Sequence, residues 1–223
     1  MRPLHRLCAL LESSTPQIAR FTCQVASLPA QILKSGKRYP SISSADQLAA
    51  KYVVNYTGET TTLDLGCGGN IRNPFLATVT YGVDIRADLE RNVLKADISA
   101  EALPFAENYF HYCTAFDVLE HIPRICWPEG RRHMAFIELM NEVHRVLRPD
   151  GLFLHSTPAY PSRQAFQDPT HVNIITEDTM PLYFCRPHAW ANVLGYGFRG
   201  SFELLEQRWV NDAWIVSILR AIK

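Results

Sequence analysis

Acids and imidazoles recur in this sequence at spacings that let them act together. Asp117, Glu120 and His121 fall in one short stretch, Phe116-Asp117-Val118-Leu119-Glu120-His121-Ile122. Two carboxylates and an imidazole this close can converge on one hard cation if the stretch begins a helical turn. A second imidazole follows in Asp168-Pro169-Thr170-His171-Val172-Asn173. An ordinary imidazole pKa of about 6.5 suits proton removal at neutral pH. General base, substrate contact, metal ligand and a structural histidine fixed by the Asp-Pro turn are all open to His171, and the first two are preferred. His155 lies inside the apolar run Leu152-Phe153-Leu154-His155, where a hydrogen-bonded core histidine is expected.

A different chemistry is written in Leu63-Asp64-Leu65-Gly66-Cys67-Gly68-Gly69-Asn70. An acid at a strand end is followed by glycines, which let the backbone turn sharply and approach a ligand with no Cβ in the way. A dinucleotide loop would place a third glycine at position 71, where Ile71 stands, and Asp64 would repel a pyrophosphate. The loop suits a ligand without phosphates. Asp84 ends the next apolar run, Tyr81-Gly82-Val83-Asp84, where an acid after a second parallel strand can accept both hydroxyls of a ribose. Cys67 is expected to be small and buried, with no nucleophilic role.

These residues need elements to hold them. From Thr60 onward, short apolar runs bounded by Gly, Asp or Asn alternate with helical patterns, the rhythm of βα units around a parallel sheet. Strands are predicted at 61–65, 78–83, 92–95, 111–116 and 151–156, with a helix over 136–147 whose apolar residues follow helical spacing. Residues 202–210 and 213–221, separated by Asn211-Asp212, read as a hairpin. Residues 1–58 carry no strong strand signal and are punctuated by Pro16, Pro29, Gly36 and Pro40, so they read as a helical cap. Residues 157–200 are long for a bare connection and rich in proline, which predicts an ordered, substrate-facing insertion within the main domain, 59–223. Tyr160, Tyr183, Phe184, Trp190 and Tyr196 there could pack the insertion or wall a substrate.

Further motifs follow in order: Lys95-Ala96-Asp97-Ile98, Ala102-Leu103-Pro104-Phe105 and Val143-His144-Arg145-Val146-Leu147-Arg148-Pro149-Asp150-Gly151-Leu152. Over about residues 60–160 the chain resembles the class I S-adenosylmethionine-dependent methyltransferases. The resemblance implies a Rossmann-like α/β fold: a doubly wound, seven-stranded, mostly parallel sheet closed by a C-terminal antiparallel hairpin. Carried over by position, Asp64, Gly66, Cys67 and Gly68 would hold the methionine end of S-adenosylmethionine, Asp84 and Ile85 the ribose side, and Asp97 with Ile98 the adenine. Phe116 and Asp117 would lie across the cofactor. That cofactor carries a sulfonium and an ammonium but no phosphate, so carboxylates can line its pocket.

The Asp117, Glu120, His121 group, followed by a Ser-Thr-Pro segment and His171, is also similar to two metal-assisted groups that use Glu-x-x-Glu-His. These are the ubiquinone-pathway O-methyltransferases and the small-RNA terminal 2′-O-methyltransferases. By position the divalent-metal ligands would be Asp117, Glu120, His121 and His171. Asp117 is one methylene shorter than the glutamate of that pattern, and Leu-Glu-His-Ile also occurs in methyltransferases that use no metal, so both readings stand.

Composition bounds the rest. The 223 residues are 47% hydrophobic and 20% charged, as in folded globular chains. Lys plus Arg equals Asp plus Glu at 22 each, which argues against a nucleic-acid partner, whose phosphates call for excess positive charge. The cysteines at 8, 23, 67, 113, 126 and 185 form no Cys-x-x-Cys pair, so reduced thiols and a cytoplasmic location are expected. No run approaches the roughly 18 apolar residues of a membrane span. The reading is methyl transfer to a small molecule or glycan precursor, at oxygen, with His171, His121 and Glu120 assisting deprotonation. An RNA-end 2′-O-methyltransferase and a non-catalytic cofactor-binding scaffold are the alternatives.

Overall fold

The computed structural model describes residues 38–53 and 57–223. Residues Tyr39–Lys223 form one compact unit built on a single sheet. Its strands are β1 (Ser41–Ile42), β2 (Thr61–Leu65), β3 (Val79–Asp84), β4 (Val93–Lys95), β5 (Phe110–Phe116), β6 (Leu147–Pro158), β7 (Phe202–Val210) and β8 (Trp214–Ala221). The helices are α1 (Ala45–Ala49), α2 (Ala135–Val146), α3 (Gln164–Gln167), α4 (Thr179–Tyr183) and α5 (Trp190–Val193).

The order across the sheet is β1-β7-β8-β6-β5-β2-β3-β4. Strands β2 to β6 run parallel, while β8 pairs antiparallel with both β6 and β7. After the edge strand β1, the chain enters the interior of the sheet at β2, moves outward through β3 and β4, then returns to β5 and β6 on the other side. The order therefore reverses between β2 and β5. In open parallel sheets the crevice at the carboxyl ends of such strands is where ligands bind. β2, with every residue buried, is the central strand that this topology demands.

The sheet has eight strands where seven are predicted. The extra one, Ser41–Ile42, pairs in parallel with Trp209–Val210. It lies in the segment read as a helical cap; residues 1–37 and 54–56 of that segment lie outside the described residues. A second difference is in the winding. Segment 66–78, between β2 and β3, contains no helix, and 85–92 contains only a single 3-10 turn, Leu89–Arg91. Asn73 explains the first case. Its amide brackets a tight turn, donating to the Ala77 carbonyl and accepting from the Ala77 N–H, each at 2.9 Å. Pro74, inside that turn, has no N–H to offer a helix.

Side chains do the covering instead. Phe75 stacks on Tyr112 of β5 at 4.4 Å between ring centroids, and Leu48 and Ala49 of α1 complete that apolar face. The opposite face is covered by α2, whose Phe136, Leu139, Met140, Val143 and Val146 are buried against Phe153 and Leu63. Before it enters the sheet proper, β6 makes an irregular excursion at Arg148-Pro149-Asp150-Gly151, with the register shifting between Phe110 and Tyr112. Gly151 is required there, because a Cβ would come within 2.9 Å of the Arg148 carbonyl.

Phe153 is completely buried between the sheet and α2. Phe153→Ala is expected to lower the unfolding free energy by about 3–5 kcal/mol, the range for losing a large core aromatic. Urea denaturation monitored by circular dichroism measures it, and a loss below about 1 kcal/mol would contradict this packing.

Candidate active site

The glycine loop springs from β2 and is tied to β3. Gly66 (φ 62°) and Gly68 (φ 58°) occupy the left-handed region, and the Gly66 and Cys67 N–H groups donate to the Val83 carbonyl at 2.8 and 3.3 Å. Space is as restrictive as backbone angle at Gly66, where a Cβ would fall 2.4 Å from Val118. Gly82 of β3 serves the loop too, since a Cβ there would fall 2.5 Å from the Cys67 sulfur. By contrast, a Cβ at Gly68 or Gly69 would meet nothing within 4 Å. The outer side of the loop is an open cradle of backbone.

Two carboxylates hold that cradle. Asp64 is buried, accepting from the Arg72 N–H at 2.8 Å and from the Thr114 hydroxyl at 2.6 Å. Burial pushes its carboxyl up to about 6, with both hydrogen bonds opposing the shift. Asp84 accepts from the Gly68 N–H at 3.0 Å and from the Arg86 N–H at 3.1 Å, so one side chain joins the loop to the turn after β3. Ile85 beside it is 66% exposed, an apolar surface at the sheet edge. Beyond β4, Asp97 is exposed and caps its own turn by accepting from the Ser99 N–H and hydroxyl at 3.0 and 2.6 Å, while Ile98 is half-buried against the core. Burial and the neighbouring Asp64 and Asp84 push the Cys67 thiol up to about 11, which leaves it un-ionised at neutral pH.

After β5 the chain enters a 3-10 turn, Leu119–His121, which buries Glu120. The insertion is bolted onto this turn. The Glu120 carbonyl accepts from both the Val172 and Asn173 N–H groups at 2.9 Å, and the Asn173 amide donates to the Leu119 carbonyl at 3.0 Å. Arg124 in turn donates to the Asn173 side chain at 2.7 Å. His171 is thereby set with Nε2 4.0 Å from Glu120 Oε1, and its ring lies edge-to-face with His121 at 4.8 Å. Thr157, at the end of β6, donates a short hydrogen bond to Glu120 Oε2.

Hydrogen-bond partners fix the tautomers. Nδ1 of His171 faces the Ala165 carbonyl at 3.4 Å and must carry the proton. The Thr170 hydroxyl donates to Asp168 at 2.6 Å, so it can only accept from Nδ1 of His121, 3.0 Å away. In the neutral form of each imidazole the lone pair is therefore on Nε2. One donor atom each from Glu120, His121 and His171 lie within 4.8 Å of one another. A carboxylate and two imidazole lone pairs gathered this closely attract a proton or a divalent cation, and a His-His-carboxylate set matches first-row metals. Burial raises the Glu120 carboxyl above its ordinary range, with the Thr157 hydrogen bond opposing.

Asp117 does not join them. Its backbone is left-handed (φ 51°), and its Oδ1 accepts from the Trp214 indole at 2.7 Å, so the expected four-ligand metal set is reduced to Glu120, His121 and His171. Phe116 instead carries the Arg72 guanidinium 4.3 Å above its ring, which brings a cation to the edge of the glycine loop. His155 is buried as expected, but neither ring nitrogen has a hydrogen-bond partner among the described residues, and burial pushes it down to about 3. Arg72 and Arg124 carry no signal in the sequence, and Thr157, Thr170 and Asn173 are legible there only as members of motifs.

Asp64 binds its proton more tightly in the folded chain than in the unfolded one. Its stabilising contribution is thus complete below pH about 4 and lost as pH rises through about 6. The difference in unfolding free energy between wild type and Asp64→Asn is expected to change by up to about 3 kcal/mol across that window. Urea midpoints measured from pH 4 to 7 test this, and a pH-independent difference would refute it.

A family model described as a methyltransferase domain matches residues 23–193. No curated protein matches the sequence. A candidate methyltransferase of Bacillus halodurans is 16% identical, with 80% of this chain and 99% of that chain covered and a TM-score of 0.53. An S-adenosylmethionine-dependent methyltransferase of Aquifex aeolicus is 12% identical over 87% of this chain and 98% of that one, with a TM-score of 0.51. The cyclase SpnF is 14% identical over 89% and 94%, with a TM-score of 0.52. These likenesses are of fold, and the cyclase illustrates that one fold hosts more than one chemistry. The family model spans most of the chain: this protein belongs to the methyltransferase-domain family, as an enzyme of the class I S-adenosylmethionine-dependent type.

Proposed function

We propose that the chain methylates an oxygen of a small molecule or glycan precursor, with His171 removing the proton. The observation that carries this reading is the convergence of Glu120, His121 and His171 at the carboxyl end of β5, with both δ-nitrogen protons engaged elsewhere. Val118 links that turn to the cofactor loop by packing against Gly66.

Bound S-adenosylmethionine supplies a methyl group already activated by a sulfonium. In this reading Gly66, Cys67 and Gly68 hold its methionine end, with the Arg72 guanidinium available to the carboxylate. Asp84 receives the ribose hydroxyls, and Ile85, Asp97 and Ile98 border the adenine. The protein's remaining task is alignment of the acceptor oxygen and removal of its proton. His171 takes that proton on Nε2, and the buried Glu120 carboxylate, 4.0 Å away, stabilises the imidazolium that forms. His121 is held in register by Thr170 and Asp168.

The same three donors favour a second reading. A divalent cation held by Glu120, His121 and His171 would lower the pKa of a bound acceptor hydroxyl and reduce the need for a base. A catechol or vicinal diol would then be the preferred acceptor, since it can chelate. Chelator treatment separates the two readings: activity that survives EDTA supports the base, and activity lost to EDTA and restored by Mn2+ or Zn2+ supports the cation.

The direct test is incubation with methyl-labelled cofactor and a panel of phenols, catechols and sugar derivatives, with products identified by mass spectrometry. Methyl ethers are expected. Label at nitrogen or carbon alone overturns the oxygen assignment, and cofactor binding with no transfer across the panel supports a scaffold. His171→Ala is expected to lower kcat by about 10²–10⁴-fold while leaving S-adenosylhomocysteine affinity by calorimetry within about twofold. Full activity in the variant would remove His171 from the chemistry.

A further inference from the structure

Beside the catalytic turn lies a cavity of about 600 Å³ whose walls are mainly apolar, formed by Met134, Phe136 and Ile137 at the start of α2 and by Tyr183, Phe184 and Tyr196 of the insertion. Its size is that of a site for a small organic molecule. The Tyr183 and Tyr196 rings are nearly parallel, 17° apart, with centroids separated by 6.5 Å. Near-parallel rings at this distance are an offset pair, so the two tyrosines together present one continuous aromatic wall. Trp190 braces Tyr183 edge-on at 5.7 Å.

The charge at the cavity is one-sided. Arg124 and Arg132 line it, and no acid does. Arg124 spends its hydrogen bonds on neutral groups, the Asn173 side chain and the Ile174 carbonyl, so no carboxylate cancels its charge. Arg132 is exposed and has no hydrogen-bond or ion-pair partner among the described residues. Arg124 is also part of the strut that fixes Asn173 and, through it, the turn carrying Glu120. The cavity and the proposed base therefore share a wall.

We infer that the methyl acceptor is an amphipathic acid: a flat apolar body laid against the aromatic wall of Tyr183 and Tyr196, with a carboxylate or phosphate met by Arg132 and Arg124. Such a ligand satisfies both the apolar walls and the uncompensated guanidinium groups, whereas a free sugar would satisfy neither. The inference rests on the transferase reading for the ligand's identity as acceptor, and on the cavity alone for its chemistry.

The probe is 3-hydroxy-2-naphthoate, titrated by its own fluorescence against the full chain without cofactor, beside neutral 2-naphthol and phenyl phosphate. The naphthoate is expected to bind more tightly than naphthol. Arg132→Ala should weaken the naphthoate about tenfold and leave naphthol unchanged, Arg132→Lys should restore part of the loss, and Tyr196→Ala should weaken both. Phenyl phosphate competing better than benzoate would assign the anion as phosphate, and the reverse would assign a carboxylate. Equal binding of naphthoate and naphthol regardless of Arg132, or binding of neither, overturns the inference. So does co-sedimentation with phosphatidylglycerol vesicles in place of probe binding, which would make this face a membrane surface. S-Adenosylhomocysteine calorimetry on the same preparations keeps the two readings apart. Its failure removes the transferase reading, while the naphthoate titration judges the cavity independently.

Discussion

A single backbone carbonyl organises the half of the candidate site that holds His171. The Glu120 C=O accepts two consecutive N–H groups from the insertion, and those two hydrogen bonds determine where His171 stands. The Asn173 side chain reinforces them by donating to the Leu119 carbonyl of the same turn. Because Glu120 is buried, its backbone groups have no water to fall back on, so leaving them unpaired would be costly. The side chain of the same residue meets Thr157 from the neighbouring strand. Residue 120 thus ties β5, β6 and the insertion together.

The half of the candidate site around the glycine loop obeys the same economy of parts. Asp64 accepts from the Arg72 N–H and from the Thr114 hydroxyl of β5, and Asp84 accepts from the Gly68 and Arg86 N–H groups, so both carboxylates fix the curvature of the glycine turn from within the chain. Negative charge at both strand ends suits a ligand carrying positive centres and is hostile to polyphosphates. The two halves meet where Val118 packs on Gly66, a contact that leaves no room for any side chain at position 66.

Much of this was readable from sequence. Strands at 61–65, 79–84, 93–95 and 110–116 lie within a residue of where apolar runs bounded by Gly, Asp or Asn put them, and Asn211-Asp212 marks the hairpin of β7 and β8. Those features are local. What escaped was long-range or too short to carry a pattern. Ser41–Ile42 has no periodicity to detect and becomes a strand only because β7 offers it an edge. Asp117 was grouped with Glu120 by proximity in sequence, but a left-handed backbone and a tryptophan 97 positions away decide its direction. His155 was expected to find a partner, and no linear pattern reveals that its neighbours in the sheet offer none.

The bare turn between β2 and β3 has an outcome for molecular selectivity. In nucleotide-binding sheets the corresponding crossover is a helix whose leading amides and dipole concentrate positive potential on a diphosphate. Here 66–78 runs as loop throughout, so no such dipole bears on the bend. A diphosphate arriving here would meet Asp64 and Asp84 without the pull of a helix dipole, and any positive charge facing it would have to come from side chains such as Arg72.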